Sequence, residues 1–567
     1  MCNLGGENMK KRKLLSLVMA VTLTVTSFVG CGKKSEESSS DTPILDGMDK
    51  TPITLTFFNC DLNEDWDFTD DVAKKITELT GVTLEITHPV AGDTQAIPLM
   101  IASGEYPDLI YAKGDTGKLI DAGAIIKLDD MIEEKGDNLK ALYGDQLDRL
   151  RASADDPSIY TVGTYGVSAE VYEPGGTLQI QHDVLKELGY PEINTIYDYE
   201  EAIKAYIEAN PTTEDGQERI GLSLMASDWR WLITTGNIAS AALGIPDDGQ
   251  FKVDDETGET TYKFTLPEIK EYFQWLNHMN DIGLLDPESF TQKEDTYKAK
   301  ISSGRVVGLS DAAWDYSDAE KTLLSEGKAG STYARLPVTV SEEYKDQSLK
   351  NYGFGGGWGI AISESCENKE RAFEFLDWMA SDEAQVLLNW GIEGEHYTIN
   401  EDGKREMLPE VQEQKNTDPD FSKKTGIGAY VYPFPQRGVG AVDSTGNSYT
   451  TTTIENVIAN YNDAQKETLA GYGINDFTEM FPSSEELGIS KHGQVWQYTI
   501  PSDSDIAIIQ QKCDDYIQQA VTQAILGKPE DFDKSWDEIQ ATLKSYGVDS
   551  LNEQMTNLTK ERLELWN

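Results

Sequence analysis

The sequence predicts an α/β fold of at least two domains, and three observations support this prediction. Strand and helix patterns alternate from Thr51 to Tyr111. About 510 residues follow the N-terminal leader, which is longer than a single hydrophobic core usually serves. From Asp505 onward, apolar residues recur at helical spacing, so the C-terminus is predicted to be helix-rich.

The start of this body predicts a strand–helix–strand unit. Residues 51–58 alternate apolar and β-branched side chains, which is typical of a strand. Residues 68–79 carry apolar side chains at helical spacing, and 82–87 have the pattern of a second strand. A short helix at 97–102 and a buried strand at 108–111 continue the alternation.

The middle of the chain predicts more helix than strand. A glycine-rich turn at 163–166 marks the predicted crossing into a second domain. A capping box at 198–201 predicts the start of a helix. In order, the predicted elements are helices over 119–128 and 128–150, strands at 160–162 and 178–180, a helix over 198–208, a hairpin over 251–264 and a helix over 268–282.

Three helices are predicted to close the chain. The first runs from Asp505, places Cys513 on its apolar face and ends at Gly527. The other two cover 534–546 and 550–566. Cys513 is therefore predicted to be a packed core residue.

The N-terminus has the pattern of an export signal. Basic residues at 10–13 precede an apolar run from Leu14 to Val29, which is 16 residues long and short for a membrane-spanning helix. Phe28-Val29-Gly30-Cys31 resembles the lipobox of bacterial lipoproteins, although phenylalanine stands where those proteins prefer leucine. We therefore predict a lipoprotein signal peptide over 1–30, lipidation of Cys31 and a flexible tether over 31–50. The alternative is a plain signal peptide with an incidental cysteine.

The charge of the chain argues against nucleic acid as a partner. The formal net charge is −51, and leaving out residues 1–30, which carry four basic residues and one acidic residue, takes it to −54. No basic stripe is present in the sequence to displace counterions from a phosphate backbone. An anionic bilayer would also repel such a body, so the lipid anchor is expected to hold it at the membrane.

Cysteine and histidine positions predict no disulfide framework, no metal site and no cofactor. Beyond Cys2 and Cys31, the remaining cysteines lie far apart at 60, 366 and 513. The five histidines never approach the spacing of a zinc site. They are expected to be hydrogen-bonded residues of the surface or the core.

Four segments carry a resemblance to a known family. Residues 102–110 look like its S-G-x-x-P-D segment, and 123–129 look like its G-x-hydrophobic-x-x-L-D segment. Residues 304–314 are similar to a strand that ends in a cleft tryptophan, and 370–380 with 389–397 resemble a Y-G-I-E-G-x-H-Y signature. On these segments the chain resembles extracellular solute-binding proteins of ABC importers, in the large lipoprotein branch related to maltose-type sugar-binding proteins.

That resemblance implies a two-lobed α/β fold of the periplasmic-binding-protein type (type II). Such a fold has a hinge and an interlobe cleft that closes around a ligand. The predicted N-terminal lobe comprises 51–170 and 335–372, and the predicted C-terminal lobe comprises 171–334 and 373–567.

One loop departs from the family pattern. Many relatives carry a calcium loop resembling D-P-N-x-N-G-x-x-D-E-I-G, whereas this chain has Asn210, Thr212 and Arg219 at ligand positions. Arg219 puts a cation where an acidic ligand would be, and a hard cation of this kind needs six to eight oxygen ligands. No structural calcium is therefore expected.

Aromatic and acidic residues in loops are the candidates for ligand binding. An oligosaccharide presents apolar C–H faces and a rim of hydroxyl groups, so its receptor needs aromatic platforms beside directional polar groups. Trp275, Trp378 and Trp536 lie in amphipathic helices and are predicted core residues. Loop tryptophans are better candidates, and Asp61, Trp66, Tyr165 and Trp314 also fall beyond the carboxyl ends of predicted strands. The predicted ligand-binding residues are Asp61, Trp66, Tyr165, Trp229, Arg230, Trp231, Trp314, Trp358, Glu393 and Tyr397.

The glycine run at 353–357 favours a crossing strand over a nucleotide site. Trp358 and Ile360 fall where a G-x-G-x-x-G motif needs its third glycine. Glycine in a strand often marks a place where another backbone approaches closely.

The leading hypothesis is a lipid-anchored receptor on the extracellular face of a bacterial cell membrane. It would capture a carbohydrate, in the first instance an oligosaccharide, and deliver it to the permease subunits of an ABC transporter. A peptide or another small polar solute stays open as the ligand. One alternative is a surface glycoside hydrolase, which needs two carboxylates about 5–9 Å apart, and another is a carbohydrate-binding lipoprotein without a transport role. Because G-x-S-x-G, H-E-x-x-H and P-loop motifs are absent from the sequence, we predict that the chain is not an enzyme.

Overall fold

The computed structural model describes residues 49–62, 66–90, 95–500 and 504–566, which belong to one unit, Met48–Asn567. The predicted signal peptide, Cys31 and all but the last two residues of the predicted tether lie outside the described residues. Within the described part, no helix has the length and apolar character that crossing a membrane requires.

The described residues form fourteen β-strands and twenty-one α-helices. The strands are β1 (Ile53–Asn59), β2 (Val82–Thr87), β3 (Leu109–Tyr111), β4 (Gly166–Ala169), β5 (Leu178–Gln181), β6 (Ile220–Ser223), β7 (Phe251–Val253), β8 (Thr260–Tyr262), β9 (Val306–Leu309), β10 (Tyr333–Leu336), β11 (Ile360–Ile362), β12 (Tyr397–Ile399), β13 (Arg405–Met407) and β14 (Gln436–Val439).

The helices follow the same chain order. They are α1 (Asp71–Thr80), α2 (Ala96–Ser103), α3 (Thr116–Asp121), α4 (Asp129–Lys135), α5 (Asp137–Tyr143), α6 (His182–Glu187), α7 (Ile196–Ala209), α8 (Ile238–Ala241), α9 (Ile269–Asp281), α10 (Glu294–Ser302), α11 (Ala313–Ser325), α12 (Lys369–Met379), α13 (Asp382–Trp390), α14 (Pro409–Thr417), α15 (Phe421–Thr425), α16 (Ile454–Ala459), α17 (Asp463–Tyr472), α18 (Ser484–Leu487), α19 (Asp505–Leu526), α20 (Phe532–Tyr546) and α21 (Val548–Leu565).

Two four-stranded sheets organise the fold. The first sheet has the order β11-β3-β1-β2, in which β1 is parallel to both β2 and β3, and β11 is antiparallel to β3. The second sheet has the order β10-β5-β9-β6, in which β6 and β9 are parallel and β5 is antiparallel to β9 and β10. Each sheet therefore contains adjacent parallel strands whose carboxyl ends meet at one edge.

The predicted strand–helix–strand start is confirmed, and its ends have local causes. The side chain of Asp70 accepts a hydrogen bond from the backbone N–H of Ala73, which caps the beginning of α1. Gly81 ends α1 in the left-handed region at φ 73°, where glycine is favoured. The predicted hairpin, formed by β7 and β8, and the three closing helices α19, α20 and α21 are confirmed as well.

Several predicted elements differ from the structure. The helix predicted over 119–128 is α3, which ends at Asp121, and of the strand predicted at 160–162 only an isolated bridge from Val162 to Ile360 is present. The capping box lies at Thr195 and Asp198, three residues before its predicted place, and α7 begins at Ile196. Gly136 interrupts the helix predicted over 128–150, which becomes α4, α5 and a short 3₁₀ turn. Trp314 lies in the first turn of α11 and not at the end of a strand, because β9 already ends at Leu309.

Two large hydrophobic cores correspond to the two sheets. The first core contains side chains from β1, β2, β3 and β11, and the second contains side chains from β5, β6, β9 and β10 together with α19, α20 and α21. Side chains between Phe373 and Phe434 lie in the first core, whereas the predicted boundaries put 373–567 with the second lobe. The physical reason is that α12 and α13 follow β11, an edge strand of the first sheet, and bury their apolar faces beside it.

Glycines allow backbone to pass closely where the chain runs between the two sheets. The segment before β11 contains Gly356, where an added Cβ would lie 1.8 Å from the carbonyl oxygen of Arg149. At Gly357 an added Cβ would lie 2.2 Å from the carbonyl oxygen of Gln497. The glycine run therefore passes close to other backbone, as predicted, but it is an irregular segment before β11 and not the predicted strand.

Candidate functional site

A series of aromatic side chains lies where the connecting segments pass between the two sheets. Neighbouring rings along the series have centroids 5.0–6.1 Å apart, and one lysine joins its two halves. We call these residues the cleft cluster: Tyr111, Lys113, Tyr165, Trp229, Trp314, Trp358, Tyr432 and Trp496.

The first sheet contributes an ion pair to this cleft. Asp61 lies two residues beyond β1 and Lys113 two residues beyond β3, and these strands are parallel neighbours. Their carboxyl ends meet, so the Asp61 carboxylate and the Lys113 ammonium group form a salt bridge. The hydroxyl of Tyr432 donates a hydrogen bond to Asp61 Oδ2 at 2.7 Å and also contacts the hydroxyl of Tyr111. Burial raises the pKa of Tyr111 and Tyr432, which keeps both hydroxyls protonated.

The second sheet contributes a pair of stacked tryptophans. Trp229 follows β6 and Trp314 follows β9, which are again parallel neighbours. The two rings are 6.1 Å apart with an interplanar angle of 4°, and their side chains are 56% and 60% exposed. Large aromatic side chains are rarely so exposed, so this pair offers two apolar surfaces for a ligand.

Arg230 lies beneath the tryptophan pair and is held by three carboxylates. Its Nε donates to Asp315 Oδ1 at 3.0 Å, its Nη1 to Asp228 Oδ2 at 3.1 Å and its Nη2 to Glu294 Oε2 at 2.6 Å. The guanidinium group also lies 5.0 Å from the centroid of the Trp229 ring. Arg230 and Asp315 each follow one of the stacked tryptophans in sequence, so their ion pair ties the two rings together. Arg230 is predicted to contact ligand. In the structure its Nε, Nη1 and Nη2 instead donate hydrogen bonds to the three surrounding carboxylates.

The connecting segments supply the rings in the middle of the cleft. Trp496 lies 5.0 Å from Trp358 and 5.5 Å from Tyr165, measured between ring centroids. Tyr165 follows Thr164, a buried β-branched residue with φ 86°, a conformation that such residues rarely adopt. The N–H of Thr164 donates to the carbonyl oxygen of Pro433 at 2.8 Å, which holds this unusual backbone in place.

Lys113 links the two sides of the cleft. Its Nζ lies 5.8 Å from the centroid of the Trp358 ring and 5.9 Å from the centroid of the Trp229 ring. Since Lys113 follows a strand of the first sheet and Trp229 follows a strand of the second, this contact spans the two lobes.

Six predicted site residues are not members of the cleft cluster. Asp61 and Arg230 contact it, and the other four lie elsewhere. Trp66 donates from Nε1 to the hydroxyl of Tyr430 at 3.1 Å and packs beside the first core. Trp231 is only 3% exposed and belongs to the second core, because the helical turn that begins after it directs the ring inward. Tyr397, in the β12–β13 hairpin, packs against Trp390 at the end of α13. Glu393 is exposed in the loop before that hairpin.

Sequence reasoning missed four members of the cleft cluster. Lys113 carried a usable signal, because it directly follows a predicted strand in the same way that Asp61 does. Tyr111 is the last residue of that strand and was assigned only to the buried sheet. Tyr432 and Trp496 lie in long stretches without a strand or helix pattern, so no local signal marks them.

The loop that corresponds to the calcium site of related proteins does not fit a calcium ion. The Arg219 guanidinium lies 5.1 Å from the ring centroid of Tyr206 and donates to the carbonyl oxygen of Gly304. The side-chain amide of Asn210 donates to Glu187 at 2.7 Å. A cation and an amide donor therefore occupy positions where calcium needs oxygen ligands. That the chain holds no structural calcium stays a prediction.

Comparison with known proteins gives a family match and relatives of similar length. The family model described as bacterial extracellular solute-binding protein matches residues 71–390. The fructooligosaccharide ABC transporter substrate-binding protein FusA of Streptococcus pneumoniae is 22% identical over 577 residues, which cover 95% of this chain and 96% of FusA.

Solved structures share the fold. FusA of S. pneumoniae in complex with kestose aligns with a TM-score of 0.66 at 18% identity, covering 90% of this chain and 99% of that chain. The alginate-binding protein AlgQ2 without calcium ion aligns with a TM-score of 0.64 at 18% identity, covering 90% of this chain and 98% of that chain. The two-lobed α/β fold of type II is therefore confirmed.

Proposed function

The chain belongs to the bacterial extracellular solute-binding protein family, and from this we propose that it captures an oligosaccharide in its interlobe cleft for delivery to an ABC permease. The observation that carries the proposal is the exposed, parallel Trp229–Trp314 pair at the cleft. FusA, which matches nearly the whole chain, is named for fructooligosaccharide transport, and this supports a saccharide as the ligand class.

The cleft has the two kinds of group that a saccharide requires. Indole faces can stack on the apolar C–H faces of a sugar ring. The Asp61 carboxylate, the Lys113 ammonium group and the Tyr432 hydroxyl lie on the opposite side and can exchange hydrogen bonds with sugar hydroxyls. Together these groups would orient a sugar ring between the two lobes.

Lobe closure would report that the cleft is loaded. Lys113 lies near rings from both sides of the cleft. A sugar that touched both sides would likewise make contacts that exist only when the lobes are closed. A ligand shifts a conformational equilibrium by its difference in affinity for the two states. The permease would then engage the closed, loaded receptor.

We further propose that Cys31 carries a lipid anchor and that the body stays on the extracellular face of the membrane. The proposal is based on the lipobox-like Phe28-Val29-Gly30-Cys31 and on the basic and apolar residues before it. Two or three acyl chains suffice for stable membrane attachment.

A binding role is favoured over hydrolysis by the carboxylates next to the tryptophan pair. Asp311 is 1% exposed and accepts a hydrogen bond from the Tyr297 hydroxyl at 2.8 Å. Asp315 is 3% exposed and paired with Arg230. Both side chains are buried and held by these partners. Asp228 and Glu294 are partly exposed but are paired with Arg230, so these four carboxylates are engaged in holding the tryptophan pair in place.

Thermal unfolding of the purified protein tests the proposal. A ligand that binds only the folded state at about 100 times its Kd adds about 2.7 kcal/mol of stability. We expect the unfolding midpoint to rise with one or more oligosaccharides from a panel that also contains peptides and polyols, and chromatography should recover the sugar intact. Release of shorter sugars would support the hydrolase, and a rise with peptides alone would overturn the saccharide assignment.

A further inference from the structure

We propose that the cleft selects neutral oligosaccharides and excludes those built from uronic acids. This inference rests on the proposed function, because it names the chemical class of the sugar that the same cleft would hold. The inference is based on the charges at the cleft. Among the described residues, Lys113 and Arg230 are the cations that lie over cleft-cluster rings. Lys113 is already paired with Asp61, and Arg230 with Asp315.

Asp61 neutralises Lys113 within the ligand surface itself. The two side chains are 26% and 35% exposed, so both groups border the solvent of the cleft. A uronate carboxylate approaching Lys113 would have to compete with Asp61 for the ammonium group, whereas a sugar hydroxyl can donate to Asp61 and accept from Lys113 at the same time. The pair therefore suits an uncharged hydroxyl better than an anion.

The second side of the cleft carries more carboxylates than cations. Asp228, Glu294 and Asp315 surround Arg230, and Lys298 pairs with Glu294 at 2.9 Å. An anionic sugar stacked on the tryptophan pair would approach this excess of negative charge. Like charges that meet without a counter-charge disfavour binding.

The three short segments that interrupt the described ranges do not supply a missing cation. Residues 63–65, 91–94 and 501–503 contain no lysine and no arginine, and they contain Glu64, Asp65, Asp93 and Asp503. Since the formal net charge of the chain is −51, its overall field also repels polyanionic ligands.

The test compares neutral and acidic trisaccharides by calorimetric titration of the purified protein. The neutral probes are kestose, maltotriose and xylotriose, and the acidic probe is trigalacturonic acid. We expect at least one neutral probe to bind at least about tenfold more tightly than the acidic probe, and we expect the difference to shrink at high salt, where charge repulsion is screened.

Asp61→Asn frees the charge of Lys113 and should raise the affinity for trigalacturonic acid by about tenfold. Asp115→Asn is the matched control, because Asp115 pairs with Lys118 at 2.8 Å, and its loss removes the same charge close to Lys113 without unpairing it. An equal gain in both variants would overturn the assignment of Asp61 as the selecting residue.

Different results would disprove the selection of neutral sugars and the saccharide receptor itself. If the unaltered protein binds trigalacturonic acid as tightly as its best neutral probe, the selection of neutral sugars is wrong and the saccharide receptor stands. If neither these probes nor any other saccharide binds, while a peptide or polyol does, the proposed function is wrong and the inference falls with it.

Discussion

Replacing Trp314 by alanine removes one of the two exposed rings and tests whether they form the sugar platform. A tryptophan side chain presents about 200 Å², so an exposed fraction of 60% corresponds to about 120 Å² of accessible surface. A sugar ring on one face would cover about 60 Å², which at about 25 cal/mol per Å² contributes about 1.5 kcal/mol, or about a tenfold change in Kd.

Trp314→Ala should leave folding almost unaffected, which makes the binding result interpretable. Substitutions of exposed side chains usually change the unfolding free energy by less than about 0.5 kcal/mol. Calorimetric titration with the oligosaccharide that gives the largest thermal shift would therefore report a Kd about tenfold weaker at nearly unchanged unfolding midpoint. The matched control is Tyr197→Ala, because Tyr197 is 53% exposed and pairs with Glu271 outside the cleft cluster. Unchanged affinity in Trp314→Ala, or equal losses in both variants, would refute the platform.

Three further predictions concern the supports of the cleft. Arg230→Met should lower the unfolding free energy by about 3–5 kcal/mol in urea titrations, because it leaves the buried Asp315 carboxylate without its cation; a loss below about 1 kcal/mol would contradict this. Asp248 accepts a hydrogen bond from the backbone N–H of Val495, next to Trp496. Burial raises the pKa of Asp248 to about 7, so the folded state keeps a proton that the unfolded chain loses near pH 4. This group alone should therefore contribute a fall in stability as pH rises from about 4 to about 7, with a slope of up to about 1.4 kcal/mol per pH unit. Asp248→Asn should flatten that slope, and an unchanged pH profile would assign the slope to other groups. Gly356→Ala should cost more stability than Gly403→Ala by about 1–3 kcal/mol, because both have positive φ but only at Gly356 would the added Cβ meet backbone; equal losses would show that the connecting segment yields easily.

Elements decided by local pattern could be predicted from the sequence. The strand at 82–87 and the helix from Asp505 were predicted with bounds within a residue of those observed, because alternation and helical spacing are properties of the segment itself. Trp275, Trp378 and Trp536 were predicted as core residues, and they are 2%, 2% and 4% exposed. Here the amphipathic pattern alone determines which side of the helix is buried.

The composition of the cleft could be predicted only in part, because it depends on contacts that are distant in sequence. Asp61 and Trp314 were found through the rule that ligands lie beyond the carboxyl ends of strands, and Trp229 was found as a tryptophan in a loop. Trp229 and Trp231 are two residues apart in one loop, yet one is 56% and the other 3% exposed, and no local pattern distinguishes them. Trp496 reaches the cleft from a segment that packs against the second core through Val495 and Tyr498, far along the chain from the strands of that core.

The clustering of indole rings at the cleft gives this protein an optical signal of its own. Four of its 11 tryptophans, Trp229, Trp314, Trp358 and Trp496, belong to the cleft cluster, and the ammonium group of Lys113 lies over two of them. A solute that enters would displace water from the exposed rings and move that charge relative to the indoles, so emission intensity and wavelength would change together. The tryptophans buried in the two cores would contribute a constant background. Unlabelled protein could therefore report its own occupancy in real time, and rapid-mixing fluorescence could separate the arrival of a sugar from the closure of the lobes.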